Sequence, residues 1–146
     1  MKHLLQILLL LCLLQTACTK DEAQPQFESI ECLVEINGAF ELTAVTKYAE
    51  YIGGQEAFFR AIGQEIRYPP EARKNGIEGT VIIEFDVTQT GEVENITLKE
   101  DIGEGCGEEA KRMFEVITEG VSFHPAELNR VPVKVRKELP IKFKLE

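Results

Sequence analysis

From Val131 to the end of the chain every second position is apolar. Val131, Val133, Val135, Leu139, Ile141, Phe143 and Leu145 share one side, interrupted only by Lys137, and the other side carries Pro132, Lys134, Arg136, Glu138, Pro140, Lys142, Lys144 and Glu146. A period of two is that of a half-buried strand. Proline donates no backbone hydrogen bond, so Pro132 and Pro140 predict that one side of this long strand is open for part of its length. The same alternation in residues 80–87, with Val81, Ile83, Phe85 and Val87 against Thr80, Glu84 and Asp86, predicts a second strand. A turn at residues 88–91 then leads into a return strand with Val93, Ile96 and Leu98. There the alternation slips by one residue near Asn95, which predicts a β-bulge. Asn37-Gly38 between residues 32–36 and 39–43 predicts a hairpin, since both turn positions require positive φ.

Helical spacing appears three times. Phe58, Ile62 and Ile66, beside Ala57 and Ala61, form one stripe that Pro69 and Pro70 terminate. Residues 70–74 then suit a short helix, with proline in its first turn and Asn75-Gly76 after its end. Ala110, Met113, Phe114 and Ile117 mark a further helix ending at Gly120. Val121 and Phe123 begin a strand, and Asn129-Arg130 a turn. This order predicts an α+β fold, a small antiparallel sheet with helices packed on one face. Residues 49–146 form the domain and residues 30–48 a hairpin extension before it.

The first residues show a different pattern. Lys2 and His3 precede an apolar run from Leu4 to Leu14, broken only by Gln6, and the small residues Thr16 and Ala17 stand before Cys18. At about 1.5 Å per residue such a run covers roughly half of a hydrocarbon layer about 30 Å thick, so it reads as a secretion signal over residues 1–17 rather than a span. Ala17-Cys18 fits a bacterial lipobox with Cys18 as the lipidation site, although Gln15 stands where such boxes usually have Leu. Ordinary signal-peptidase cleavage meets the same obstacle at Gln15. Thr19-Lys20-Asp21-Glu22 is similar to the surface-export signal of Bacteroidetes lipoproteins and reads equally as the start of a charged tether over residues 18–29. Subtracting Lys2 from the 16 basic residues leaves 15 against 25 acidic ones, a formal charge of −10. That sign disfavours nucleic acid and anionic lipid, so the membrane partner is reached through the lipid anchor.

Candidate chemistry is sparse. His124 is the one histidine after the signal, and no serine or cysteine is placed by sequence to form a catalytic pair with it; one His and two distant Cys do not make a zinc site, and no cofactor is expected. Residues 103–107, Gly-Glu-Gly-Cys-Gly, invite comparison with a phosphate loop. Glu100, Asp101, Glu104, Glu108 and Glu109 surround them and would repel a phosphate. Cys32 and Cys106 allow one disulfide in an oxidising compartment, or serve as two buried small hydrophobes. Lys134, Arg136, Lys142 and Lys144 form a basic face in an acidic protein: a solvated face with gatekeeping lysines, or a surface that steers an acidic partner strand.

Tyr68-Pro69-Pro70-Glu71-Ala72, Gly76-Ile77-Glu78-Gly79-Thr80-Val81, Phe85-Asp86-Val87, Gly91-Glu92-Val93, Pro125 and Pro140-Ile141 resemble, in kind and spacing, the C-terminal domain family of TonB. The resemblance covers roughly residues 49–146. It implies a non-enzymatic domain that binds an extended segment of an envelope protein, such as a TonB-dependent outer-membrane transporter, by adding it to a sheet edge. It places Tyr68 and Pro69 in the partner-facing motif, and the strand from Val131 to Leu145 as that edge. Phe123-His124-Pro125 departs from the family's Trp-x-Pro, and Gly105-Cys106-Gly107 from its Leu-Asp helix start. The long proline-rich spacer and inner-membrane helix of TonB itself have no counterpart in these residues, so a direct part in energy transduction is not expected. The competing functions are a structural envelope lipoprotein without peptide binding and an enzyme built on the carboxylate cluster.

Overall fold

The computed structural model describes residues 30–121 and 123–145. Residues 1–29, with the signal segment, Cys18 and the tether, lie outside the described residues.

The first two strands, β1 (Ile30–Ile36) and β2 (Ala39–Val45), form the expected hairpin. Its turn residues Asn37 and Gly38 have φ of 53° and 83°, the left-handed pair that matches the twist of two adjoining strands. A short strand β3 (Glu50–Tyr51) leads to helix α1 (Gly54–Glu65), then α2 (Pro70–Lys74). Strands β4 (Gly79–Val87) and β5 (Val93–Glu100) follow, then helix α3 (Cys106–Thr118). The chain ends in four strands: β6 (Phe123–His124), β7 (Ala126–Leu128), β8 (Val131–Val133) and β9 (Val135–Phe143).

Five strands make one antiparallel sheet in the order β2-β1-β9-β4-β5. The odd positions Val81, Ile83, Phe85 and Val87 of β4 and Val135, Ile141 and Phe143 of β9 are buried under one face. Ala110, Met113, Phe114 and Ile117, the helical stripe of α3, cover them, and the rings of Phe85 and Phe114 meet at 4.5 Å between centroids. The fold is α+β with its helices on one face of the sheet. Asn95, with φ 56°, sits in the expected bulge: Glu84 pairs with Thr97 and Asp86 with Glu94, so β5 carries one extra residue across that step.

Two features differ from the sequence pattern. The closing alternation is not one strand. Asn129 and Arg130, both in left-handed conformation, turn β8 back on β7, Lys134 stands outside either strand, and β9 begins at Val135. Period-two patterning persists through such a break because the side chains on both sides still face the same core. The hairpin, moreover, is part of the main sheet rather than an appendage, because β1 pairs with β9 and Val34 is fully buried.

Candidate functional site

Strand β9 pairs with β4 without a register shift, from Phe143 opposite Gly79 to Val135 opposite Val87. On its other side it meets β1 only through Val135 and Arg136, besides the Glu35 N–H that donates to the Lys134 carbonyl at 2.9 Å. Backbone groups alternate direction along a regular strand, so the even residues of β9 point their N–H and C=O toward the β1 side and the odd residues toward β4. Beyond Arg136, the N–H and C=O of Glu138 and Lys142 and the C=O of Pro140 therefore face the side on which β9 forms no further strand pairing among the described residues, although Cys32 of β1 remains near Lys137. Pro140 lacks its N–H on that open side, where no ladder bond is lost. Of the two prolines only Pro140 lies in this open length, residues 137–143; Pro132 stands on β8 opposite Glu127 of β7.

The basic residues divide into two groups. Lys134 lies 2.7 Å from Glu94, 3.4 Å from Glu35 and 3.6 Å from Asp86. Arg136 grips Asp86 with two nitrogens, Nε to Oδ1 at 2.7 Å and Nη2 to Oδ2 at 3.1 Å, and Phe40 covers its guanidinium at 4.0 Å. Both are engaged within the chain. Burial alone would raise the Asp86 carboxyl, but hydrogen bonds from Arg136 and Asn95 and the charges of Arg136 and Lys134 outweigh it and hold Asp86 below the usual carboxylate range. The guanidinium is raised in turn by its bond to Asp86. Lys142 and Lys144 are exposed, and neither forms an ion pair among the described residues.

Tyr68 and Pro69 stand at the Lys142 end of β9. The Tyr68 ring meets Phe143 edge-on at 5.5 Å, and its hydroxyl donates to the Ile77 carbonyl, clasping the loop before β4. Pro69 precedes the first residue of α2 and approaches Gly105. The structure thus gathers Tyr68, Pro69, Lys142 and Lys144 at one end of the open edge. Arg136 is six residues from Lys142, roughly 20 Å along the strand.

Cys32 on β1 and Cys106 at the start of α3 are free, so the disulfide that the sequence allowed is not formed. Cys106 is fully buried and Cys32 half-buried, the pattern of two small hydrophobes on different elements; burial raises both thiols, the neighbouring Asp101, Glu108 and Glu104 adding to it at Cys106. The glycine-rich loop holds a carboxylate of its own. Asp101 accepts the Gly103 N–H at 3.0 Å and lies 2.6 Å from where a Gly107 Cβ would stand, so the chain itself supplies the negative group beside the α3 N-terminus.

Sequence reasoning did not single out Asp86, Phe40 or Lys137. Lys137 had a signal, the one break in the apolar side of the last strand. Its ammonium donates to the Ala49 carbonyl at 2.7 Å, and burial lowers it.

The sequence model of a family described as Gram-negative bacterial TonB protein C-terminal matches residues 64–145. Protein TonB of Vibrio cholerae is 40% identical over 82 residues, which are 55% of this chain and 32% of that protein, so the match spans about a third of the relative's length. The NMR solution structure of Helicobacter pylori TonB-CTD (residues 179–285) has a TM-score of 0.44 and 20% sequence identity, covering 64% of this chain and 88% of that one.

Proposed function

Because the chain belongs to the Gram-negative bacterial TonB C-terminal family, we propose that it is a non-enzymatic binding module of the cell envelope, held to a membrane by lipid on Cys18. It takes an extended segment of an envelope protein, such as a TonB-dependent transporter, as an added strand on β9. The observation that carries this reading is the unpaired side of β9 from Lys137 to Phe143, beside a β4 ladder that holds the strand straight. Main-chain hydrogen bonds through the N–H and C=O of Glu138 and Lys142 and the C=O of Pro140 supply affinity that depends little on partner side chains. Lys142 and Lys144 steer an acidic segment toward the edge, and Tyr68 and Pro69 shape the end of the site. Lys134 and Arg136 contribute indirectly, by fixing β1 against β9 where the open edge begins.

Capture of envelope proteins by the anchored chain tests the reading. Lys142→Pro removes an N–H from the open side, and Lys142→Glu with Lys144→Glu reverses the steering charge. Both are expected to weaken capture, the charge reversal mainly through slower association with a flatter salt dependence. Unchanged capture by both variants, each shown by circular dichroism to be folded, would overturn the proposal.

A further inference from the structure

Three large apolar side chains stand uncovered within one short stretch of the chain. Tyr48 is 45% exposed, Ile52 47% and Phe59 55%, and Tyr48 and Phe59 border the same groove. The helix that carries Phe59, α1, also holds Ala57, Phe58, Ala61 and Ile62, yet none of its residues is fully buried. The stretch is electrically balanced as well. Residues 47–60 carry Lys47 and Arg60 against Glu50 and Glu56, in a chain whose formal charge is −9. All three side chains precede residue 64, outside the segment that matches the family. They also lie close to where the preceding chain enters the fold: Ile30, the first described residue, pairs with Val45, three residues before Tyr48. A strand partner at about 5.5 Å and three further steps of about 3.8 Å place the Tyr48 Cα within roughly 17 Å of that of Ile30.

We propose that Tyr48, Ile52 and Phe59 dock on the zwitterionic lipid surface to which the chain is anchored, seating their apolar ends at the boundary between headgroups and acyl chains. The inference rests on the reading of Cys18 as lipidated. The chain from Cys18 to Ile30 spans at most about 42 Å, so the anchor keeps the entry point, and the patch beside it, within reach of the bilayer. Three side chains hold no protein at a membrane unaided. A tether of this length makes their contact intramolecular, at an effective concentration of the order of millimolar. A phenol ring suits the boundary because its body is apolar and its hydroxyl stays wet. Local charge decides which lipid: a balanced stretch is not opposed by a zwitterionic headgroup layer, whereas the acidic remainder of the chain is repelled by an anionic one. Leu42, 65% exposed, is no part of this face. It stands three residues from the buried Val45 on the same strand, and alternation turns it to the opposite side of the sheet.

The chain contains no tryptophan, so Phe59→Trp and Leu42→Trp, both at exposed positions, each make a single fluorescent reporter. The test places the full, lipid-modified chain on phosphatidylcholine vesicles, with and without bromine on the acyl chains near the headgroups. Phe59→Trp is expected to emit at shorter wavelength there than in its Cys18→Ser form in solution, and to lose most of that emission to bromine. Leu42→Trp is expected to do neither. Adding Tyr48→Asp and Ile52→Asp should return Phe59→Trp to the solution spectrum while the chain still floats with the vesicles. A chain that floats, but whose Phe59→Trp is quenched no more than Leu42→Trp, overturns the docking and leaves the anchor standing. A chain that does not float overturns the anchor and with it the docking. Blue-shifted Phe59→Trp emission that bromine leaves intact assigns the cover to protein, a second copy or another segment, and overturns the proposal as well. Quenching seen only on phosphatidylglycerol vesicles does the same, since the patch would then be following lipid charge.

Discussion

Asp86 is 1% exposed and bonded to Arg136, Asn95 and, more distantly, Lys134. Asp86→Ala is expected to cost about 3 kcal/mol in urea unfolding, the lower end of the range for breaking a buried pair, because Arg136 and Lys134 retain some access to water. The folded-state pKa of Asp86 is depressed, so its contribution is present above the unfolded carboxylate value of about 3.9 and lost as pH falls through the lower folded value. The stability gap between wild type and Asp86→Ala should therefore hold near pH 7 and close in strong acid; a gap that widens with acid would contradict the assignment. None of this was readable from sequence, where Asp86 is one more polar residue on an alternating strand. Its partner Arg136, itself covered by Phe40, is brought there by strand pairing across 50 residues. The thiols give a second test at this scale. In unreduced protein Cys106 should resist maleimide until unfolding, and both Cys32 and Cys106 should label fully once unfolded; failure to label would restore the disulfide.

At the scale of elements, local signals were read well and long-range pairing was not. Asn37-Gly38, Pro70, the slip at Asn95 and the stripe of α3 each carry their own conformational cause within a few residues, and each element formed where expected. That the hairpin adds to β9 has no local signature, since β1 and β9 are joined by about 100 residues of intervening chain. Nor does alternation alone tell Val131–Val133 from the strand that follows it. The docking has a measurable consequence. Val34 is fully buried between β1 and the core, so Val34→Ala should lower global stability by roughly 2 kcal/mol, with β1 and β9 losing protection together. Melting of the hairpin alone, with β9 unaffected, would show it to be an independent unit.

For the whole molecule, the proposal is that an acidic chain is held at a membrane by lipid and holds an envelope protein there. Among the described residues no helix is long and apolar enough to cross a membrane, and the negative charge repels anionic lipid. Cys18→Ser is accordingly expected to move the protein from the membrane fraction to the soluble one, and retention after a salt wash would contradict lipid anchoring. Of the proposed site the sequence carried part: Pro140 pointed to an open side, and the family resemblance brought in Tyr68 and Pro69, but where the pairing of β1 with β9 stops depends on tertiary register. That boundary makes the central claim measurable in the protein's own amides. By hydrogen exchange, the N–H groups of Lys137, Leu139, Ile141 and Phe143, bonded to β4, should be slow in the free chain. Those of Glu138 and Lys142 should be fast, and should become slow when a captured peptide is added. Glu138 and Lys142 already protected in the free chain, or still fast with peptide bound, would contradict strand addition at β9.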